Sequence, residues 1–240
     1  MTEVIDALRA AETEYYPSEE VCDALSEVVM VPIIGPLAVG KSTCMGRIIT
    51  IDPKSFGRVQ SFTTRPMREG EPEHEYRWHD GSPEGLADIL EAVEEGELVQ
   101  YAIHPTTDVV YGSDLSDFSR PYNMLDTLPL AVAPLRRLPF RDMTEITLVM
   151  LPRQWQLGLG FRSSQVGGEE MKKRLEEGRR SLIWSLAQGG DMKWVNNVYN
   201  QIGKTAQEVR GLALGEREPD PRSRDVGEQL LKYITGLLDE

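Results

Sequence analysis

Residues Gly35-Pro36-Leu37-Ala38-Val39-Gly40-Lys41-Ser42 limit what this chain can fold into more than any other stretch. The pattern G-x-x-x-x-G-K-[ST] describes a loop whose glycines let the backbone curl, so that several N–H groups point inward at phosphate oxygens. Such a loop belongs between a strand and a helix, with the positive end of the helix dipole facing the anion. The flanks fit. Val28-Val29-Met30-Val31-Pro32-Ile33-Ile34 reads as a buried strand, and Ser42-Thr43-Cys44-Met45-Gly46-Arg47-Ile48-Ile49 can start a helix. Lys41 can place a point charge at the β- and γ-phosphates, and the Ser42 hydroxyl can ligate Mg²⁺. The loop predicts a nucleoside triphosphate ligand. It leaves open what receives a phosphoryl group.

The remaining chain predicts strands alternating with helices, the pattern of a doubly wound α/β sheet. Strands are expected at 58–64, at 97–104, at 109–111, at Tyr122–Thr127, at Ile146–Leu151 and at Trp194-Val195. The two segments Tyr122–Thr127 and Ile146–Leu151 are apolar enough to be central in a parallel sheet. Helices are expected at 82–96, with Ser82 as a cap before Pro83, at 168–186 after a glycine-rich stretch, at Lys204–Leu214 and at Val226–Leu238. Residues 1–27 read as a helical extension broken at Pro17, and 215–225 as a solvated linker.

A formal net charge of −13 argues against general nucleic-acid or anionic-membrane binding, because phosphate-backbone affinity needs a basic surface. Cys22 and Cys44 form no disulfide framework and show no metal spacing, as suits a reducing cytoplasm. The acidic start Met1-Thr2-Glu3-Val4-Ile5-Asp6 lacks the basic and apolar segments of a signal peptide, and no apolar run approaches membrane-spanning length.

About twenty residues beyond the phosphate loop comes Ser61-Phe62-Thr63-Thr64-Arg65-Pro66-Met67-Arg68-Glu69-Gly70-Glu71, followed by Tyr76. Two arginines three apart, beside hydroxyl residues in a Gly/Pro loop, make an anion clamp, since each guanidinium can engage a phosphate through two hydrogen bonds. A second phosphate site beside a phosphate loop is what a monophosphate kinase needs.

With these motifs the chain resembles the guanylate kinase family from about residue 28 to 214. That family has a Gly-Pro-x-x-x-Gly-Lys-Ser loop, then Ser-x-Thr-Thr-Arg-x-x-Arg-x-Gly-Glu, a Tyr, a Gly-Glu-Phe-x-Glu strand, Tyr-Gly-[ST], Leu-Asp-x-Asp, and a lid before a Lys-Arg-rich helix. The resemblance implies a P-loop three-layer sandwich with a mostly parallel central sheet, an acceptor-binding subdomain at 58–112 and a lid at 154–172, inside a kinase domain at 28–214. Residues 1–27 and 215–240 lie outside it. ATP and Mg²⁺ are the implied cofactors, and the implied partner is a small nucleotide or other phosphate-ester acceptor, on a cytoplasmic monomer or homodimer.

By position, the resemblance implies that Gly35, Pro36, Ala38, Val39, Gly40, Lys41, Ser42 and Thr43 bind the donor triphosphate, with Asn196 of Val195-Asn196-Asn197 bordering the donor adenine. Arg65 and Arg68 match the arginines that grip the acceptor phosphate. Ser61, Tyr76 and Tyr111 match its other phosphate and base-side contacts, and Ser113 closes the match to Tyr-Gly-[ST]. Asp126 of Leu125-Asp126 falls near Mg²⁺ and the phosphates, so that Ser42 and Asp126 are the implied metal ligands. Arg162 matches the lid arginine and Arg174 the helix arginine that reaches across the transferring group.

Two departures bear on the acceptor. The family's guanine-contacting Glu is Gln100 here, and the second Asp of Leu-Asp-x-Asp falls at Leu128. Guanine presents adjacent N–H donors that suit a carboxylate; Gln offers one acceptor and one donor, and Leu offers neither. GMP is therefore not the expected preferred acceptor. In the lid, Gly158 stands where the family has an arginine. Two other readings follow from the same features: a kinase for a non-nucleotide phosphate ester such as a ribose phosphate, and a non-catalytic binding module of the same fold.

Overall fold

The structure, a computed structural model, describes residues 2–67, 71, 76–104, 107–163 and 168–239, without the side chains of residues 2 and 161–163. In chain order the first elements are α1 (Thr2–Glu12), α2 (Glu19–Leu25), β1 (Val29–Ile34), α3 (Lys41–Ile51), β2 (Phe56–Arg58), β3 (Phe62–Thr63) and β4 (Arg77–Trp78). Then come α4 (Pro83–Glu94), β5 (Leu98–Ile103), β6 (Val110–Asp114), β7 (Tyr122–Asp126), α5 (Pro129–Leu135), β8 (Asp142–Met143) and β9 (Ile146–Val149). The last are α6 (Pro152–Ser163), α7 (Gly168–Ala187), β10 (Lys193–Asn196), α8 (Ile202–Ala213) and α9 (Arg222–Asp239).

The expected α/β architecture is present. A mostly parallel central sheet has the order β10-β9-β1-β7-β2, with β8 also paired to β1. β1 runs parallel to β9 in the register Ile33↔Ile146, and β9 runs parallel to β10 with Val149 opposite Asn196. All six residues of β1 and all four of β9 are buried, as strands covered on both faces require. Of the segments read as central from their apolar runs, β7 and β9 both flank β1.

The chain divides into two units. One comprises Met1–Val29, Gly57–Asn123 and Pro134–Arg141; the other comprises Met30–Phe56, Met124–Ala133 and Asp142–Glu240. The first unit carries a second sheet, ordered β4-β3-β6-β5. β3 and β4 are parallel, and β6 is antiparallel to both β3 and β5. One face of this sheet buries Phe62, Tyr101, Ile103 and Val110 against Ile5 and Leu8 of α1 and Leu86 and Ile89 of α4. The Ser82 hydroxyl accepts a hydrogen bond from the Gly85 amide and Pro83 takes the first helical position, so the cap predicted for α4 is formed.

In the second unit, α3 packs with α8 and α7 with α9, and both α8 and α9 contact β10. α9 turns Leu230 and Ile234 fully inward.

Two differences from the sequence expectation have local causes. The single strand read at 58–64 is two short ones, β2 in the central sheet and β3 in the second, separated by the polar pair Gln60-Ser61. The glycine-rich stretch that includes Gly158 and Gly160 continues as α6 to Ser163, anchored by the fully buried Trp155. Helix α5 forms although it contains Pro134. Cys22 and Cys44 are free thiols. Among the described residues no helix is long and apolar enough to cross a membrane.

Candidate functional site

The phosphate loop leaves β1 and enters α3 with the backbone its motif predicts. Gly35 and Gly40 take φ of 145° and 89°, and Ala38 is left-handed at 63°. A Cβ on Gly35 would stand 2.3 Å from the Leu148 carbonyl oxygen, and one on Gly40 would stand 2.6 Å from Asn197 Nδ2, so neither position admits a larger residue. The outer side of the loop is braced. Asn197 Nδ2 donates to the Val39 carbonyl at 2.8 Å, and the Thr205 hydroxyl holds Asn197 Oδ1 at 2.8 Å. Trp155 Nε1 donates to the Leu37 carbonyl at 2.7 Å. Gly158 of α6 and Gly178 of α7 lie against the same loop: a Cβ on them would reach Ala38 O at 3.1 Å and Pro36 Cβ at 3.0 Å.

Inside this brace three expected donor-side residues converge. Lys41 Nζ donates to the carbonyls of Gly35 (2.7 Å) and Pro36 (3.2 Å) and stands 3.6 Å from Asp126 Oδ1. Ser42 Oγ lies 3.3 Å from Asp126 Oδ2. Asp126 is the last residue of β7, the neighbour of β1, so the sheet itself delivers a carboxylate to the start of α3. Ser42 and Asp126 present hard oxygen donors side by side, the donor set that suits Mg²⁺. Among the described residues no group of three His, Cys, Asp or Glu side chains could hold a metal.

In the first unit the second sheet gathers the residues expected on the acceptor side. Gln100 pairs with Ser113 and Ala102 with Tyr111 across β5 and β6, and Thr63 pairs with Tyr111 across β3 and β6. Residues directly opposite one another share a face, so Gln100, Ser113, Tyr111 and Thr63 lie on the face away from α1 and α4. A bulge between Leu98 and Gln100 sets that register. Ser113 is fully buried, yet among the described residues its hydroxyl has no hydrogen-bond partner, and neither does Trp78 Nε1. Buried polar groups without partners cost about 1–3 kcal/mol each.

Arg65 does not lie open in this region. It makes a two-pronged pair with Glu71, at 2.5 and 2.8 Å, and its Cζ stands 5.1 Å from the Tyr76 ring and 5.0 Å from the Trp78 ring. The hydrogen bonds to Glu71 push the guanidinium above its ordinary pKa. The second arginine of the clamp, Arg68, lies outside the described residues. Ser61 lends its carbonyl to the Arg77 amide at 3.0 Å.

The remaining expected residues are dispersed. Arg162 falls in α6, and its side chain lies outside what is described. Arg174, on α7, binds Glu170 at 3.0 Å and Glu177 at 3.6 Å on its own helix. Thr43 is exposed in the first turn of α3, and Leu128 is exposed just after β7. Asn196 ends β10 with its Oδ1 buried and without a partner among the described residues, whereas Asn197 holds the loop. Two residues enter that sequence reasoning had not singled out. Asn197 was quoted only as a neighbour of Asn196. Arg179 follows Gly178 on α7 and keeps its Nε buried without a partner among the described residues while binding Glu176 at 2.8 Å.

No family model matches the chain, and no curated protein matches it. Among solved structures it is similar to guanylate kinase from Anaplasma phagocytophilum, at 17% identity and a TM-score of 0.47, over 82% of this chain and 88% of that one. It is also similar to the hydrogenase maturation factor HypB from Archaeoglobus fulgidus, at 11% identity and a TM-score of 0.30, over 97% of this chain and 98% of that one. Likeness this slight assigns no activity to the chain, and the functional reading rests on the loop and the residues around it.

Proposed function

We propose that the chain is an ATP-dependent phosphotransferase that binds Mg-ATP at residues 35–42 and passes the γ-phosphoryl group to a nucleoside or deoxynucleoside monophosphate, with GMP not the preferred acceptor. The observation that carries this reading is the convergence of Lys41, Ser42 and Asp126 at the start of α3, within a loop braced by Asn197 and Trp155. An acceptor phosphate is already an anionic nucleophile, so the reaction needs positioning and charge neutralisation rather than a strong base. The loop amides and Lys41 hold the donor phosphates. Ser42 and Asp126 would hold Mg²⁺, which when bound neutralises charge on those phosphates. Arg65, Tyr76 and Tyr111 serve the acceptor phosphate. Gln100 and the Ser113 hydroxyl, which has no partner among the described residues, meet the acceptor base, and an amide in place of a carboxylate disfavours guanine. Arg162, Arg174 and Arg179 supply further positive charge for the transferring group.

A coupled assay of ADP release across the common ribo- and deoxyribonucleoside monophosphates tests the reading. The expected result is turnover with at least one non-guanine monophosphate and a lower kcat/KM for GMP. Absence of turnover with every acceptor from folded protein overturns it. One observation favours a second reading, transfer to a non-nucleotide phosphate ester: Leu128 is exposed and offers no polar contact to a base. Turnover with ribose phosphates and none with nucleotides selects that alternative.

A further inference from the structure

Leu98, Tyr101 and Ile103 of β5 all pack into one apolar cluster with α1 and α4. A regular strand cannot do this, because residues 98 and 101 would fall on opposite faces. The bulge allows it. Leu98 pairs with Asp114 and Gln100 with Ser113, so Val99 is an extra residue with nothing opposite it. This decides where Gln100 points. With Leu98 in the cluster and no bulge, alternation would turn Gln100 and Ala102 into the cluster and Tyr101 and Ile103 out of it. The bulge reverses the phase and gives Gln100 to the face it shares with Ser113, Tyr111 and Thr63.

Both sides of the bulge are held by the N-terminal segment. β5 is the outermost strand of its sheet, so one edge of its backbone has no neighbouring strand. The Tyr15 hydroxyl donates to the Leu98 carbonyl at 2.5 Å, directly beside the bulged residue. Ahead of the bulge, the Ser18 amide donates to the Gly96 carbonyl at 2.9 Å. Beyond it, the Tyr101 hydroxyl donates to the Leu8 carbonyl at 2.8 Å, and the Glu12 carboxylate accepts from the Ile103 amide at 3.3 Å. The rings of Tyr15 and Tyr101 meet edge-on at 5.2 Å. Burial pushes the Tyr15 hydroxyl above its ordinary pKa, so it stays a donor at any working pH. None of this segment falls within the guanylate kinase resemblance, which begins near residue 28.

We propose that Tyr15 is a positioning residue for the acceptor base: its hydroxyl pins the bulge that turns Gln100 outward, so that the N-terminal segment sets acceptor preference. The inference rests on the reading of Gln100 as a base contact. A slip of one residue moves every side chain of a strand to the other face, so a single hydrogen bond at the point where register changes governs which residue the acceptor meets.

The test measures kcat and KM across the nucleoside monophosphates for the parent, Tyr15→Phe, Gln100→Ala, the double variant Tyr15→Phe/Gln100→Ala, and Arg9→Ala. Tyr15→Phe removes one oxygen and keeps the ring. It is expected to raise the KM of the preferred acceptor about tenfold, the scale of one hydrogen bond, and to flatten the preference among acceptors. The KM for ATP should not change. The double variant should lose no more than Gln100→Ala alone, because both substitutions act through one contact. Arg9→Ala breaks the Arg9–Asp108 ion pair of the same segment, past the far end of β5, and should leave the preference as it was. A Tyr15 that only stabilised the fold would lower the melting temperature without altering the preference. An unchanged preference in Tyr15→Phe, additive losses in the double variant, or an equal shift in Arg9→Ala overturns the proposal, while turnover by the parent leaves the phosphotransferase reading standing. A parent that turns over no nucleoside monophosphate overturns the base contact and the proposal together.

Discussion

Arg65 and Glu71 bind each other through two hydrogen bonds, so the first arginine of the expected anion clamp is engaged by one of the chain's own carboxylates. Their side chains are 10% and 13% exposed, so water does little to replace the pair. Glu71→Gln is expected to cost about 2 kcal/mol of stability, the scale of a hydrogen bond to a charged group, seen as a lower melting temperature. Millimolar phosphate should recover part of that loss in the variant and little in the parent, because only the variant leaves Arg65 free for an anion. Lys41→Met is expected to cut turnover by roughly 100-fold or more, about 2.7 kcal/mol at the transition state, while leaving the fold intact. Burial pushes the Cys44 thiol up to about 12, so iodoacetamide at pH 8 should spare it until the chain unfolds. Lys41 and Ser42 were legible in the sequence because a loop motif is local. The Asn197–Val39 brace was not, because its partners stand 158 residues apart and nothing local marks them.

Helix α1 looked like an appendage in sequence, yet Ile5 and Leu8 belong to the same apolar cluster as Phe62 and Ile89. Its amphipathic spacing was readable; what it would cover was not. Tyr101 also reaches it, donating to the Leu8 carbonyl at 2.8 Å. Leu8→Ala is expected to destabilise by about 3 kcal/mol, measured by denaturant unfolding, since the residue is fully buried. Helix α6 was missed for the opposite reason. Gly158 and Gly160 cost helix propensity, and only close packing on the phosphate loop explains why one of them is tolerated. Between α3 and α8, hydrogen bonds from Ser55 and from Arg210 hold the Asp52 carboxyl below its ordinary range. A depressed carboxyl adds stability above its unfolded pKa and loses it as the pH falls through the folded value. Asp52→Asn should therefore lower the melting temperature at pH 7, with the gap narrowing as the solution is acidified below the usual carboxylate range.

Across the whole molecule, the alternation of strands and helices was enough to predict an α/β sheet with β7 and β9 near its centre. It could not reveal that the chain would weave between two units, each built from three separated segments. Periodicity records which face of an element is buried and is silent on its partner. The formal charge of −13 also acts at this scale. An anionic donor approaching an acidic molecule is repelled at long range, so its association rate should rise with added salt, as stopped-flow mixing can measure. A final consequence concerns Trp155. Its indole N–H bonds to the phosphate loop and its ring meets Tyr233 of α9 edge-on, so the loop and the last helix meet at one chromophore. The chain thereby carries its own optical gauge. Filling the phosphate loop should change the contribution of this indole to the emission of the chain's four tryptophans, and Trp155→Phe should silence that response.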